Sequence, residues 1–310
     1  MKNKNIIVTG GLGFIGSHIV DELIDNNTVT IIDNKSTGKI ENLQNPTHKN
    51  LKIIEGDLND LNLDEIFENQ DYIFHLAAMA SVPLSVDKPA ECNKNNVDAT
   101  VKLLESAKNA KVKKVIFSSS SAVYGENTNM PLKESEPLMP TSPYAASKAS
   151  CELYLKSFTE SYGLNTIALR YFNVFGPKQD KNSQYAAVIP NFISAILENE
   201  QPIIYGDGEQ TRDFVFVKDI VKANIKAAES DYNGVVNIAS GEKLTINKLY
   251  EIVKNTLESD IEPKYLPERQ GDIKHSLADV TNMKNINFKV NSDDFEEQLS
   301  QTVQWFETQL

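Results

Sequence analysis

This 310-residue sequence has few cysteines, no cluster of histidines and no excess of basic charge. Its two cysteines, Cys92 and Cys151, lie far apart, so no disulfide framework is expected and a reducing compartment fits better. The four histidines show none of the spacings of metal ligands, so the sequence predicts no metal site. The formal net charge of −12 argues against non-specific binding to nucleic acid.

Long apolar runs are missing as well. No stretch reaches the roughly eighteen consecutive apolar residues that a membrane span needs, so no membrane contact is expected. The first residues, MKNKNIIVTGG, run from basic side chains straight into a strand and a glycine turn, without a secretory apolar region or cleavage site. The sequence therefore predicts a cytoplasmic protein.

The first two thirds of the chain alternate short β-branched runs with longer amphipathic stretches. Six of the runs are almost wholly apolar, as strands buried on both faces of a parallel sheet are: KNIIVTG, TVTIID, LKIIEGD, DYIFHLAA, KKVIFSSS and NTIALRYF. Between them the pattern predicts helices, among them 14–26, 90–110 and 144–162. Strand followed by helix, repeated, predicts an α/β fold with a Rossmann-type, doubly wound parallel sheet.

This rhythm changes after Asn173. Loops rich in Gly, Asp and Gln surround a predicted helix over 187–198 and a strand over 202–205. The segments 214–228 and 235–239 again look like helix and strand of the first lobe. We therefore expect a Rossmann lobe and a smaller α/β C-terminal lobe, each discontinuous in sequence: 1–172 with about 214–240, and about 173–213 with 241–310.

Glycines punctuate the turn after the first strand. Gly10 would make the tight turn, Gly13 would let the backbone approach a pyrophosphate, and Gly16 would allow close packing of helix on strand. The helix that begins with Phe14 and Ile15 would point its N-terminal amides at the same anion. The spacing predicts a dinucleotide site, and a glycine-rich turn without a ligand is the alternative for such a motif in isolation.

The next strand ends carry side chains suited to the rest of a dinucleotide. Asp33 and Asn34 end the second strand, where a carboxylate binds the adenosine ribose hydroxyls and repels a 2′-phosphate. The third strand runs into Asp57 and Leu58, placed to meet the adenine. The fourth ends in residues that would let the chain pass close to the cofactor: Leu76, Ala77 and Ala78. Together these strand ends predict NAD as the cofactor.

A run of serines, Ser118 to Ser121, ends the fifth strand, and a tyrosine–lysine pair follows it. Tyr144 and Lys148 are four residues apart, so a helix places both on one face. A phenol has a pKa of about 10, so we expect a nearby ammonium and a cationic nicotinamide to lower the pKa of Tyr144. An isolated tyrosine and lysine with this spacing are common on protein surfaces. Here they follow a strand that ends in serines, which favours a catalytic role.

The glycine turn, the serine-ended strand and the segment SPYAASK together resemble the extended short-chain dehydrogenase/reductases, over essentially the whole chain. Within them the sequence is similar to the UDP-glucose and UDP-N-acetylglucosamine 4-epimerases of the NAD-dependent epimerase/dehydratase family. The resemblance implies Ser120 and Tyr144 as catalytic residues, assisted by Lys148, with Ser121 as the alternative to Ser120. It also implies further contacts to NAD: Asn96, Ser118, Tyr144, Lys148 and Tyr171.

The same resemblance implies a UDP-hexose substrate. Arginine suits the diphosphate because its planar fork pairs bidentately with phosphate oxygens, although composition alone would make each arginine a surface salt bridge. The implied substrate contacts, besides the catalytic Ser120 and Tyr144, are Ser81, Asn173, Ala187, Val188, Tyr205, Arg212, Arg269, Asp272 and Ser276. The resemblance further implies a homodimer in which the helices predicted over 90–110 and 144–162 pair across the interface.

Single positions separate the reactions and sugars of this family. The dehydratase and decarboxylase branches carry an acid just after the catalytic hydroxyl, whereas Ser121 and Ala122 stand there, which favours 4-epimerisation. Ser276 occupies a place where glucose-restricted relatives carry tyrosine, so an N-acetyl group would have room. UDP-glucuronate epimerases tend to carry threonine at the place of Asn173. A UDP-glucuronate 4-epimerase, a dehydratase, a reductase and a non-catalytic NAD-binding protein are the alternatives.

Overall fold

A computed structural model describes residues 1–180, 187–268 and 274–309. Its strands are β1 Asn5–Thr9, β2 Thr28–Asp33, β3 Leu51–Glu55, β4 Tyr72–His75, β5 Lys114–Ser120, β6 Thr166–Tyr171, β7 Asn173–Phe175, β8 Ile203–Tyr205, β9 Thr211–Arg212, β10 Phe214–Phe216, β11 Gly234–Ile238, β12 Leu244–Thr245 and β13 Lys264–Leu266. Its α-helices are α1 Phe14–Leu23, α2 Leu63–Ile66, α3 Val82–Asp87, α4 Pro89–Asn93, α5 Ala99–Asn109, α6 Pro143–Tyr162, α7 Val188–Leu197, α8 Val217–Glu229, α9 Ile246–Thr256 and α10 Phe295–Glu307. Short 3-10 helices cover Ile40–Asn42, Ser121–Tyr124, Thr281–Ile286 and Ser292–Asp294.

Seven parallel strands form the central sheet, in the order β11-β6-β5-β4-β1-β2-β3. All six predicted strands are present, and the segment predicted over 235–239 is β11, paired with β6. The doubly wound, Rossmann-type fold is thereby confirmed. Because β1 lies between β2 and β4, the strand order reverses there, and ligands of open α/β sheets bind beyond the carboxyl ends of the strands at such a point.

Side chains of the strands alternate between two apolar cores. In β1, Ile6 and Val8 pack into one core and Ile7 into the other, because successive side chains of a strand point to opposite faces. Helices α1 and α8 cover the first face, and α5 and α6 cover the second. Apolar helices on both faces explain why the strands carry almost no polar residue before their carboxyl ends.

A third core is built by the second half of the chain. Helices α7, α9 and α10 pack around aromatic side chains that include Phe175, Phe192 and Tyr250. The strand pair β7–β10 joins this core to the sheet, since Phe214 packs into the third core and Val215 into the first. The exact lobe boundaries stay a prediction.

Two predicted helices differ from the observed ones. Helix α1 ends at Leu23 rather than at residue 26, because the side-chain amide of Asn27 donates to the carbonyl of Leu23 at 2.8 Å and caps the helix. The helix predicted over 90–110 consists of α4, a π-helical turn over Lys94–Asp98, and α5. Within the described ranges, no helix combines the length and apolarity needed to cross a membrane, and no three potential metal ligands cluster.

Candidate active site

Two neighbouring cavities lie beyond the carboxyl ends of the strands. The larger one, of about 1330 Å³, is lined by the glycine turn, by the ends of β2, β4 and β5, and by the start of α6. The smaller one, of about 310 Å³, is lined by the second lobe, including β7, β8 and the start of α7. Ala187 lines both, so the two cavities adjoin.

The glycine turn is shaped so that side chains cannot enter it. Gly10 has φ +68°, and a Cβ there would stand 2.8 Å from the amide nitrogen of Ala77. A Cβ on Gly16 would stand 2.1 Å from the carbonyl oxygen of Gly10, so only glycine permits this approach of helix α1 to β1. Gly13 is the N-cap of α1, and it lines the larger cavity with Phe14 and Ile15. This cradle at a helix N-terminus fits a pyrophosphate.

Asp33 is placed to meet a ribose. It ends β2 and lines the larger cavity, as do Asn34, Asp57 and Leu58. Its carboxylate accepts hydrogen bonds from the amides of Leu12 (3.0 Å) and Lys35 (2.8 Å). These two bonds fix the carboxylate and use two of its roughly four acceptor sites, which leaves capacity for hydroxyl donors. The residues present therefore fit NAD.

A buried histidine holds the end of β4 in place. The hydroxyl of Thr9 accepts from the amides of Leu76 and Ala77, both at 3.2 Å, and contacts His75 Nδ1 at 2.7 Å. On the other side of the ring, His75 Nε2 lies 3.0 Å from the hydroxyl of Thr100. Burial lowers the pKa of His75 to about 3, so the ring is neutral at neutral pH. Leu76, Ala77 and Ala78 line the larger cavity as predicted.

Two of the residues implied to contact NAD, Asn96 and Tyr171, have side chains that are hydrogen-bonded to other residues of the protein. Asn96 sits in the π-helical turn and is 2% exposed, with its carboxamide bonded to the main chain of Met79 (2.7 and 3.2 Å) and to Ser147 (2.8 Å). Its neighbour Asn95 lines the larger cavity. The hydroxyl of Tyr171 contacts Ser118 Oγ at 3.0 Å, and Tyr171 and Ser118 both line that cavity.

Helix α6 carries the tyrosine–lysine pair. It begins with Ser142 as N-cap, whose hydroxyl accepts from the amide of Ala145, and with Pro143 in its first turn. Tyr144 and Lys148 both line the larger cavity, with Lys148 Nζ 5.9 Å from the centre of the Tyr144 ring. Lys148 Nζ donates to the carbonyl of Ser118 at 2.7 Å, which ties the helix to the end of β5.

Ser120 is the serine that meets the tyrosine. It is the last residue of β5, its hydroxyl accepts from the amide of Ala122 at 3.2 Å, and it lies near enough to the phenol to lower the pKa of Tyr144. Ser121, the alternative, begins the following 3-10 helix. The geometry therefore favours Ser120 for the role of holding a substrate oxygen.

Burial dominates the ionisation of both catalytic candidates. It lowers the pKa of Lys148 to about 8. It raises the pKa of Tyr144, while the hydrogen bond from Ser120 lowers that pKa. We expected the ammonium and a cationic nicotinamide to lower the pKa of Tyr144, but in the protein the loss of solvent around the phenol is the largest effect and raises that pKa.

The predicted substrate contacts fall into three groups. Five of them line the smaller cavity: Asn173, Ala187, Val188, Tyr205 and Arg212. Ser81 lines the larger cavity, and the amide of Ser276 donates to the carbonyl of Thr211, next to Arg212, at 3.1 Å. Arg269 and Asp272 lie outside the described residues.

Asp213 is a residue of this region that sequence reasoning missed. It is fully buried between Arg212 and Phe214, and its carboxylate accepts from Ser240, Gly241 and Ala278. These bonds join three distant segments behind the smaller cavity. The position of Asp213 in the printed segment TRDFVFV gave no sign of these partners, because all of them are distant in sequence.

The last helix also reaches the larger cavity. Trp305, Phe306 and Gln309 line it, together with Lys178 and Gln179. Trp305 and Phe306 reach the cavity because α10 packs onto the third core, and no motif marks them, whereas Lys178 and Gln179 belong to the loop after β7.

Comparison with known proteins agrees with this geometry. Residues 6–239 match the NAD dependent epimerase/dehydratase family. The chain belongs to this family. NAD is accordingly its cofactor, and the resemblance stated above is confirmed.

Solved structures of relatives extend over the whole chain. A UDP-N-acetylglucosamine 4-epimerase from Methanobrevibacter ruminantium, in complex with UDP-N-acetylmuramic acid, is 68% identical, with a TM-score of 0.99 and 100% of both chains covered. A UDP-glucose 4-epimerase from Thermotoga maritima, with UDP-glucose, is 42% identical, with a TM-score of 0.93 and coverage of 98% of this chain and 99% of the other. A UDP-glucose 4-epimerase of Mycolicibacterium smegmatis is 36% identical over 90% of this chain and 91% of its own length.

Proposed function

We propose that the protein is a UDP-hexose 4-epimerase that interconverts gluco and galacto configurations. The observation that carries the proposal is the placement of Tyr144 and Lys148, one helical turn apart, in a cofactor cavity at the end of β5, where Ser120 lies, next to a separate cavity in the second lobe. The 4-epimerases among the relatives support it.

Tyr144 is the acid–base group of the proposed reaction. Its phenolate takes the proton of the sugar 4-hydroxyl, while Ser120 holds the same oxygen by a hydrogen bond. Lys148 supplies positive charge near the phenolate and is itself fixed by the carbonyl of Ser118. When held by the glycine turn and Asp33, NAD would supply the hydride acceptor and donor for carbon 4.

Inversion requires that the sugar turn over while the nucleotide stays bound. The smaller cavity is the place we assign to the nucleotide, because Phe175, Phe192 and Ile204 give it apolar walls and Arg212 gives it a cation. Arg212 is suited to a diphosphate through its planar guanidinium. Asn173, on the same cavity wall, is the second group that we expect to hold the diphosphate.

The sugar specificity follows from one position. We propose that N-acetylated hexoses are accepted, because the small residue Ser276, whose amide is bonded to the carbonyl of Thr211 next to Arg212, stands where glucose-restricted relatives carry tyrosine. The proposal extends to plain hexoses, since one pocket wall seldom gives more than about 1–3 kcal/mol of discrimination.

Proton NMR of the products tests the function. Purified protein is incubated separately with UDP-glucose and with UDP-N-acetylglucosamine, with and without added NAD. We expect the galacto isomers to appear without net reduction of NAD, and the N-acetylated sugar to react at least as fast. A protein that binds NAD but converts neither sugar, or that forms a 4-keto-6-deoxy product, would contradict the proposal.

We further propose that the enzyme is a cytoplasmic homodimer. Large apolar side chains on α6 are left exposed in the single chain: Leu153 (61%), Tyr154 (42%) and Tyr162 (58%). The free thiols of Cys92 and Cys151 suit a reducing compartment. Light scattering coupled to size exclusion tests the assembly, and a monomer at working concentrations would count against it.

A further inference from the structure

A buried ion pair lies directly behind the tyrosine–lysine pair. Arg170 on β6 holds Glu152 on α6 by two parallel hydrogen bonds, Nε to Oε1 at 2.9 Å and Nη2 to Oε2 at 2.7 Å. Both side chains are only 4% exposed. Among the described residues neither one lines the two cavities, so the pair does not serve as a contact for substrate or cofactor.

A third hydrogen bond connects this pair to β5. Ser119 Oγ donates to Glu152 Oε1 at 2.5 Å. Ser119 stands between Ser118, whose carbonyl accepts from Lys148, and Ser120, which lies near enough to Tyr144 to lower the pKa of its phenol. Glu152 therefore fixes the short piece of strand on which both catalytic contacts depend.

Glu152 is also the charge nearest in sequence to Lys148. The two residues are four apart on α6 and lie on one face. Burial lowers the pKa of Lys148, and the carboxylate of Glu152 opposes that lowering by favouring the ammonium.

The other titratable groups around Lys148 are neutral at neutral pH. Burial lowers the pKa of His75 and raises the pKa of Tyr144 and of both thiols: Cys92 on α4 and Cys151 on α6. In the described part of the chain, Glu152 is the carboxylate that favours the ammonium of Lys148, and its own charge is balanced by Arg170.

Arg170 is held on its far side as well. Its guanidinium lies 4.7 Å from the centre of the Tyr124 ring, and its Nη1 donates to the carbonyl of Glu134 at 3.3 Å. The hydroxyl of Tyr124 in turn donates to Asn237 on β11 at 2.7 Å. The ion pair is therefore anchored to β6 and β11 and cannot follow a movement of α6 freely.

We propose that Glu152 is a positioning residue for the epimerisation: held by Arg170 and Ser119, it fixes the end of β5 against α6 and keeps Lys148 charged beside Tyr144. The proposal rests on the function proposed above. It assigns no contact with the sugar or with NAD to Glu152.

The first test measures the ionisation of Lys148 without any activity assay. Lysine side chains labelled with ¹³C are titrated by NMR in the wild-type protein and in Glu152→Gln. We expect the midpoint of Lys148 to move to lower pH by about one pH unit, because the carboxylate that favours the ammonium is gone. An unchanged midpoint would overturn the proposal.

Lys114 is the matched control in the same spectra. It lies at the opposite end of β5, is also buried, and has its pKa lowered to about 8 by burial. Its Nζ donates to the carbonyls of Ser230 (2.8 Å) and Tyr232 (2.7 Å), far from Glu152 in the network. Lys114→Met identifies its signal, and we expect its midpoint to stay the same in Glu152→Gln. A shift of both lysines would indicate general unfolding and would also overturn the proposal.

Kinetics supply the second test. With the better UDP-hexose, Glu152→Gln should lower kcat by about tenfold or more with little change in KM, because a misplaced catalytic group costs turnover rather than binding. The alkaline limb of the kcat–pH profile should move to lower pH together with the Lys148 midpoint. If Glu152→Gln does not fold with Arg170 unpaired, Glu152→Gln combined with Arg170→Met removes both charges. We expect kcat of this double variant to fall by about tenfold or more as well, because no ion pair then holds the end of β5 against α6, and an unchanged kcat would overturn the proposal.

The two proposals fail in different ways. A wild-type protein that epimerises no UDP-hexose, but whose Lys148 midpoint responds to Glu152→Gln, refutes the proposed function and leaves the effect of Glu152 on Lys148 standing. If the wild-type protein is an epimerase but Glu152→Gln changes neither kcat nor the Lys148 midpoint, only the positioning role is refuted.

Discussion

Tyr144 concentrates the proposed chemistry in one hydroxyl. We expect Tyr144→Phe to lower epimerase turnover by about 10²–10⁴-fold, because the variant lacks the phenol that takes the proton in the proposed reaction, and a general acid–base group contributes a rate factor of that size. NAD should stay bound, since the ring is kept. Tyr265→Phe, a change at an exposed tyrosine on β13, is the control for turnover measured by product NMR. Activity retained by Tyr144→Phe would remove the residue from the mechanism.

The second prediction at the scale of a residue concerns Gly10 and the retention of NAD. Gly10→Ala should abolish NAD retention, because the new methyl group meets the main chain of Ala77 at 2.8 Å in a left-handed conformation. Gly163→Ala is a close control, with a similar φ of +70° and nothing within 4 Å of the added Cβ. Both changes should cost about 1–2 kcal/mol of stability from the strained backbone, whereas only Gly10→Ala should lose the cofactor. Equal NAD content in the two variants, by absorbance after denaturation, would contradict the role of the cradle.

At the scale of elements, His75 links β1, β4 and α5 through Thr9 and Thr100. Its pKa falls from 6.5 to about 3 on folding, so the native state binds fewer protons than the unfolded state between these values. Its contribution is complete above pH 6.5 and is lost as the pH falls toward 3, with a slope of up to about 1.4 kcal/mol per pH unit.

Urea unfolding at several pH values measures this slope. His75→Gln should be less stable at neutral pH and should lose the part of the acid slope that His75 contributes. His18, whose pKa burial lowers to about 4, adds a slope of the same sign that the variant should keep. His275→Gln, a change at an exposed histidine, should behave like the wild type. An acid slope unchanged in His75→Gln would refute the assignment.

Strands and helices were predictable from the sequence where apolar runs or helix-capping residues in the same segment determine them. The apolar runs gave the seven strands of the sheet, and Pro143 and Gly163 bound α6 as helix signals do. The π-helical turn over Lys94–Asp98 was not predictable, because the hydrogen bonds of Asn96 to Met79 and Ser147 are made across the fold. For the same reason the sequence led to the catalytic Tyr144 and Lys148 but not to Glu152 behind them, since the motif does not show that Arg170 and Ser119 converge there.

At the scale of the whole molecule, the last helix connects the C-terminal part of the chain to the cofactor cavity. Helix α10 packs into the third core through Leu299 and Val303, yet it brings Trp305 to the cofactor cavity formed by the first half of the chain. Trp305 is the one tryptophan of the sequence, so tryptophan fluorescence reports on the surroundings of this one side chain, which lines that cavity.

We therefore expect the fluorescence of cofactor-stripped protein to change on titration with NAD, and Trp305→Phe to abolish the signal while it still binds NAD by equilibrium dialysis. Tyr144→Phe should keep both the signal and the binding, and Gly10→Ala should lose both, because only the latter obstructs the glycine cradle. If the tryptophan fluorescence does not change on titration with NAD although dialysis shows binding, α10 does not face the occupied part of the cavity. The cofactor would then be held by the Rossmann lobe without help from the C-terminal helix.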